Sequence, residues 1–279
     1  MNIQASTKGD PKVSVVLTAY NSGRFIGQAI QSILVQTFTD FEFIIIDDCS
    51  KDNTWEVILE YATRDARIVA LKNEKNLNLA RSLNKGIAIA KGKYIVRMDH
   101  DDISVPSRLE KQVAFLEENS DVGILGSSME IIDEQGKVIG LRKYNLTDES
   151  IRRHIFLYSP FCHPATAIRK NVLELAGYYN HEFNPAEDYE LYFRIGMCAK
   201  FANLDEALLR YRVVKGTSMT TGSTRKLERT TIAIRHRYSR SYPYRMSWID
   251  RIYNSFHFFS LFIIPSKLKS WFFSKLRNT

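Results

Sequence analysis

With 279 residues, 44% of them hydrophobic and 25% charged, the chain has room for one large α/β domain with an appendage. Three scattered cysteines, Cys49, Cys162 and Cys198, exclude a disulfide framework and a zinc-site spacing, and point to a reducing compartment. The net charge of +8 is concentrated from Arg225 onward among aromatic residues. No nucleic-acid-binding motif accompanies it, so the expected partners are an anionic ligand or an anionic membrane surface and no nucleic acid.

The first twelve residues are polar and lack an apolar core, so they are not read as a signal peptide, and a cytoplasmic location is expected. Residues 13–21 form a near-continuous apolar run ending in the turn Asn21-Ser-Gly23, which predicts a parallel strand covered on both faces. A helix follows, with Phe25, Ile26, Ala29, Ile30, Ile33 and Leu34 at helical spacing. Residues 41–46 predict a second buried strand, delivering Asp47 and Asp48 at its carboxyl end. Asp52-Asn-Thr54 opens a helix with Trp55, Ile58, Leu59 and Ala62 inward. A strand over 68–71, a helix over 79–90 and a strand over 94–98 complete four strand–helix alternations in about a hundred residues, the pattern of a largely parallel sheet.

The fourth strand ends in Tyr94-Ile-Val-Arg-Met-Asp99-His-Asp101-Asp102, three carboxylates within four residues. Buried without partners, each would cost several kcal/mol, about the desolvation of an ionised group. A strand end opening into a cleft avoids that cost, and open α/β sheets bind ligands there. Carboxylates so crowded repel one another unless a hard cation such as Mg²⁺ or Mn²⁺ neutralises them. The competing reading is a solvated acidic turn before the helix that follows Pro106. In a parallel arrangement, however, Thr18 and Tyr20, Asp47 and Asp48, and Asp99 and Asp101 all fall at carboxyl ends and converge on one crevice. Neither Gly-x-Gly-x-x-Gly nor Gly-x-x-x-x-Gly-Lys-Ser/Thr occurs, so no glycine-rich phosphate loop holds a nucleotide here.

Pro11-Lys-Val-Ser-Val-Val-Leu-Thr-Ala-Tyr-Asn21, Gln36-Thr-Phe, Ile45-Ile-Asp-Asp-Cys-Ser50, Leu83-Asn-Lys-Gly-Ile87, Gly92-Lys-Tyr and the Asp99 to Asp102 cluster resemble the amino-terminal half of family 2 glycosyltransferases. Pro106-x-Arg108-Leu-Glu-Lys-Gln112 and Glu187-Asp188 extend the likeness to about Arg212. The resemblance implies the GT-A fold, a Rossmann-like, mostly parallel sheet flanked by helices, and inverting transfer from a nucleotide-activated sugar, usually UDP-linked. It implies Thr18 and Tyr20 as nucleoside contacts, Asp48 with Asp47 beside it at the uracil imide, and Arg81 near the base and diphosphate. Asp99 and Asp101 match the Asp-x-Asp motif, with Asp101 on the metal and Asp99 on the ribose or the ion. His163 is expected either at the donor or buried and bonded to backbone. Asp188 is implied as the general base that deprotonates the acceptor hydroxyl, with Glu187 as its acceptor-side neighbour.

In the second half, residues 122–128 predict a strand, and a hairpin turns at Gln135-Gly136. The helix opened by Pro185 has Leu191, Ile195 and Cys198 inward. The loop from Lys215 is either a segment over the diphosphate, contacted by Arg212 or Lys215, or a plain linker. A basic helix over 225–236 precedes the apolar run 255–264, which at ten residues is half a bilayer span. Lys267, Lys269, Trp271, Phe272, Phe273, Lys275 and Arg277 follow, a mixture suited either to a membrane interface or to a helix packed on the catalytic domain.

The resulting expectation is an amino-terminal tail over 1–10, a catalytic domain over 11–215 in two halves (11–102 for nucleotide, 103–215 for acceptor), and a basic, aromatic helical extension over 216–279. The expected activity is that of a metal-dependent hexosyltransferase with a UDP-sugar donor and a saccharide or lipid-linked acceptor in surface-polysaccharide biosynthesis, peripheral on the inner face of the plasma membrane. A sugar-1-phosphate nucleotidylyltransferase would need a glycine-rich segment with Arg and Lys after the first strand, which Thr18-Ala-Tyr-Asn-Ser-Gly-Arg24 does not supply. A non-catalytic binding module would predict damaged acidic motifs, yet Asp48, Asp99, Asp101 and Asp188 are all present.

Overall fold

The computed structural model describes residues 9–214, 224–241 and 243–263. The amino-terminal eight residues, the loop from Lys215 and the tail carrying Lys267 to Arg277 lie outside them.

Strands β1 (Val13–Ala19) and β2 (Phe41–Asp47) are buried along their whole length, as continuous apolar runs require. With β3 (Ile68–Lys72) and β4 (Tyr94–Asp99) they form the parallel half of one sheet in the order β3-β2-β1-β4. The sheet continues through β8 (Ala167–Arg169), β6 (Val122–Ile132) and β9 (Lys200–Arg212) to the two-residue β5 (Ile103–Ser104), with β7 (Val138–Arg142) hairpinned onto β6. β8 runs antiparallel to both β4 and β6, while β9 runs parallel to β6 with three breaks in register. The hairpin turns at Gly136 with φ +86°, and β6 is a single strand of eleven residues.

Strand alternation sorts side chains into two cores. Val13, Val15 and Leu17, with Phe43 and Ile45, and with Tyr94, Val96 and Met98, pack towards α1 (Ile26–Leu34), α2 (Thr54–Arg64) and α4 (Arg108–Glu118). Val16, Ile44, Ile46 and Ile95 pack towards α3 (Leu79–Ile89), α6 (Lys170–Ala176) and α7 (Glu187–Ile195). A short helix, α5 (Asp148–His154), is capped by Thr147 and lies on this second side. Arg97 and Asp99 share the parity of Ile95, so the strand delivers them to the α3 and α7 side.

At the opposite end of the sheet, Ser14 Oγ donates to buried Glu42 at 2.6 Å, and the Gly92 N–H donates to Ser14 Oγ at 2.8 Å. A Cβ on Gly92 would stand 2.4 Å from the Ser14 main-chain nitrogen, so only glycine permits this approach. Arg108, from the helix after Pro106, is fully buried and donates to the Arg97 carbonyl at 2.8 Å, bracing the end of β4 from below.

α7 ends at Ile195, and Cys198 is exposed beyond Gly196 rather than on the helix's inner side. Helical spacing carried past the end of the helix explains the wrong expectation. The extension contributes α8 (Thr224–Tyr238) and α9 (Trp248–Ile263), and α8 packs on α7.

Candidate active site

The strand register builds the crevice. Thr18 on β1 stands opposite Asp99 on β4, and Ala19 stands opposite Asp47 on β2. The turns beyond are stapled to one another. Asn21, at φ +50°, donates its N–H to Ser50 Oγ at 2.9 Å and accepts from the Lys51 N–H at 2.8 Å, and the Gly23 N–H donates to Asp52 at 2.9 Å. Tyr20 is 45% exposed on this rim, leaving an aromatic face open beside the strand ends.

Asp48 is buried and accepts four hydrogen bonds. Asn73 Nδ2, Ser82 Oγ and the Leu77 N–H donate to Oδ1 at 2.7, 2.9 and 2.8 Å, and the Asn78 N–H donates to Oδ2 at 2.9 Å. Charge-assisted bonds of this kind fix the loop between β3 and α3. Oδ2 keeps the spare acceptor capacity that a ligand N–H would need. Arg81 follows in the first turn of α3 and is exposed. Asp47 is fully buried, its Oδ2 3.8 Å from the Lys72 ammonium and without a hydrogen bond.

The three clustered aspartates diverge. Asp102 is fully buried, turned away from the crevice, and its Oδ1 accepts from the Arg212 N–H at 2.8 Å. Burial, and then the charges of Asp99 and Asp101, hold its carboxyl pKa well above the ordinary range. Asp99 and Asp101 stay partly accessible. Asp99 forms an ion pair with the guanidinium of Arg97, whose residue exposure is only 3%. No group of three or more His, Cys, Asp or Glu side chains encloses a metal position among the described residues. Two hard oxygen donors nevertheless fit Mg²⁺ or Mn²⁺, which commonly take one or two carboxylates and complete their shell with substrate phosphates and water.

Across from this cluster, α7 opens with Glu187 and Asp188, where the helix dipole favours negative charge. Glu187 is 3% exposed, its Oε2 accepts no hydrogen bond, and burial, followed by repulsion from Asp188, pushes its pKa up to about 7. Burial raises Asp188 as well, and the Arg97 charge opposes the rise in both. His163 Nε2 lies 2.8 Å from the Tyr179 hydroxyl, a side-chain partner where a backbone one was the alternative. Burial, and then Arg97, lowers the His163 pKa well below the ordinary value, so the imidazole is neutral. Arg97 thus sits between the Asp-x-Asp end of β4 and the acidic start of α7, acting electrostatically on both.

The chain's sequence matches the family model described as Glycosyl transferase family 2 over residues 14–175. This protein is a family 2 glycosyltransferase. It is 37% identical over 209 residues to an uncharacterized glycosyltransferase of Methanocaldococcus jannaschii, covering 73% of this chain and 71% of that one. It is 28% identical over 269 residues to the Escherichia coli UDP-Gal:alpha-D-GlcNAc-diphosphoundecaprenol beta-1,3-galactosyltransferase, covering 95% of this chain and 96% of the other. The structure superposes on that of S. aureus TarS in complex with UDP-GlcNAc with a TM-score of 0.67 and 23% identity, over 82% of this chain and 67% of TarS. That likeness gives the glycosyltransferase its GT-A fold.

The partners of two arginines of this glycosyltransferase escape a reading of motifs. Arg97 is a cation inside an otherwise apolar strand run, within the Gly92 to Asp102 stretch that carries the family likeness, but neither signal says what it pairs with. The Arg212 side chain is buried within the fold. Its guanidinium donates to the carbonyls of Asp101, Asp133 and Glu134 and to Gln28 Oε1 at 2.7 to 3.2 Å, and lies 4.7 Å from the Phe25 ring. A cation at the end of a strand reads as surface until the fold surrounds it with carbonyls.

Proposed function

We propose that this glycosyltransferase moves a sugar from a UDP-sugar to a hydroxyl of a saccharide or lipid-linked saccharide, with inversion, in bacterial surface-polysaccharide biosynthesis. The site residues, the division of labour between residues 11–102 and 103–215, and peripheral work at the inner face of the plasma membrane belong to the same proposal. The observation that carries it is the pair of carboxylate groups facing one another across Arg97: Asp99 and Asp101 on the nucleotide side, Glu187 and Asp188 on the acceptor side. The lipid-linked acceptor named for the E. coli relative supports the acceptor class.

In this reading Tyr20 offers its ring to the base, Thr18 its hydroxyl to the nucleoside, and Asp48 Oδ2 its free lone pair to the uracil imide N–H. Arg81 stands near the diphosphate. Asp99 and Asp101 would hold Mg²⁺ or Mn²⁺, which would supply positive charge to stabilise a diphosphate leaving group. Asp188 takes the proton of the acceptor hydroxyl as that oxygen attacks the anomeric carbon from the face opposite UDP. Glu187, buried and holding its proton up to about pH 7, presents a donor to the acceptor sugar below that pH. Neutral His163, fixed by Tyr179, offers a ring nitrogen to the donor sugar without competing for the metal's charge.

Calorimetric titration of UDP and other nucleoside diphosphates, with Mn²⁺ and with a chelator, tests the reading. UDP-selective binding that requires the metal is expected. Tighter binding of another nucleotide overturns the donor class, and absence of nucleotide binding overturns the enzyme reading.

A further inference from the structure

α9 is folded inside out. Around its sixteen residues, Asp250, Asn254, His257 and Ser260 are buried against the protein together with Leu261. Trp248, Ile249, Ile252, Phe256, Phe258, Phe259 and Phe262 face outward, each between 45% and 71% exposed. At 3.6 residues per turn these seven occupy one half of the helix surface, and the buried polar residues occupy the other. A helix on a water-soluble protein turns its apolar stripe to the core. Here hydrogen bonds fix the opposite rotation. Asn254 Nδ2 donates to the Phe156 carbonyl at 3.1 Å, and Arg235 Nη1 donates to Asn254 Oδ1 at 3.2 Å. The helix cannot roll its aromatics inward without breaking this seam.

An apolar surface of that size demands an apolar neighbour. Charge identifies which. From residue 224 onward the chain carries twelve Lys and Arg against two acids, so the whole positive balance of the protein resides there. Arg240, Arg245 and Arg251 are exposed at the entry to and along α9. Two such faces would repel one another, whereas an anionic leaflet attracts them. Five of the seven exposed apolar residues are Phe or Trp, which favour the membrane–water boundary. Sixteen helical residues measure about 24 Å, short of the hydrocarbon thickness, and no helix among the described residues is long and apolar enough to cross a membrane.

We propose that α9 lies flat in the interface of an anionic membrane with its exposed apolar half inserted, and that α8 transmits this placement to the catalytic helix. Arg235 on α8 is the link: it hydrogen-bonds α9 through Asn254 and donates from Nε to the Tyr189 hydroxyl at 3.0 Å, one residue after Asp188. Tyr238 donates to Glu190 Oε1 at 2.7 Å from the same helix. Docking through α9 therefore sets the height of the acidic start of α7 above the leaflet, where the sugar of a lipid-linked acceptor would stand. This orientation rests on the assignment of Asp188 as the base, but the docking itself does not.

The test is co-sedimentation of the full chain with vesicles of phosphatidylglycerol and phosphatidylcholine, compared with phosphatidylcholine alone. The Phe256→Ser/Phe259→Ser variant keeps the buried seam, and its thermal midpoint and UDP affinity are expected to match the wild type. Wild-type binding to the anionic vesicles that weakens with salt, and that falls at least tenfold in the variant, is the expected result. Equal binding by the variant, or no binding by the wild type, overturns the proposal. So does a wild-type dimer in sedimentation equilibrium that the variant abolishes, if vesicles are not bound. UDP titration of the same preparation reads the nucleotide site separately, so a failed docking result and a failed transferase reading are distinguishable.

Discussion

The main-chain N–H of Arg212 donates to Asp102 Oδ1 at 2.8 Å, joining the end of β9 to the acidic loop 110 residues earlier. The Arg212 side chain then reaches over the same loop to the Asp101 carbonyl, to the β6–β7 turn and to α1. One buried side chain thus positions the Asp-x-Asp segment against three other parts of the fold. Arg212→Ala leaves several buried carbonyls without donors and is expected to lose about 3 kcal/mol of stability, the scale for breaking a buried charged network. Urea unfolding measures the loss. Arg212→Lys is expected to recover little, because one ammonium cannot replace the guanidinium's fork of donors.

Arg212 is visible in the sequence as a cation beside the loop from Lys215, but the groups that enclose it are not. β1, β2 and β4 were legible because parallel strands buried on both faces must be written as apolar runs, and their carboxyl ends carry Thr18, Asp47, Asp48 and Asp99 in plain view. The antiparallel part was less so: β8 is three residues long, and β9 draws its stability from pairing with β6 rather than from its own composition. The buried cations Arg97 and Arg212 look like surface residues in a list of charges, since nothing local announces the carbonyls and carboxylates that enclose them. Asp102 likewise reads as a third crevice carboxylate, and only the β9 pairing turns it inward. For α9 the apolar run was visible, but which side of it met the protein depended on distant partners such as Phe156 and Arg235.

Asp188→Asn keeps the size of the side chain and removes the basic oxygen. Transfer is expected to fall by about 10²- to 10⁴-fold, the usual contribution of a general base, while UDP affinity changes less than twofold. A radiolabelled-sugar transfer assay paired with UDP calorimetry reads both. Turnover equal to the wild type would remove Asp188 from the mechanism.

Glu187 carries a pH signature of its own. Its folded pKa of about 7 lies above the ordinary 4.5, so the folded protein binds this proton more tightly than the unfolded chain. Stability is therefore undiminished by this group below about pH 4.5 and is lost as pH rises through 7, by about 3 kcal/mol in all. Glu187→Gln cannot ionise and is expected to gain on the wild type across that window, most above pH 7. Parallel urea titrations from pH 4.5 to 8 measure the difference, and a constant gap between the two proteins would contradict the shifted carboxyl.

Arg97 and Asp99 form the central ion pair of the site, and their coupling is measurable. Removing the cation alone leaves Asp99 beside the buried Asp102 and facing the acidic start of α7, with carboxylates on both sides and no counter-charge of its own. Arg97→Met is expected to cost about 3 kcal/mol, because an uncompensated charge near a buried strand is far more expensive than an exchanged apolar side chain. Asp99→Asn alone leaves the guanidinium still attracted by Asp102, and its cost is expected to be smaller. The double variant should recover at least half of the Arg97→Met loss, since each residue's charge is a problem chiefly when the other is absent. A double-mutant cycle by urea unfolding gives the interaction directly, expected at about 2–3 kcal/mol for residues in contact. Strict additivity of the two substitutions would mean that Asp99 is held by the strand end and not by Arg97.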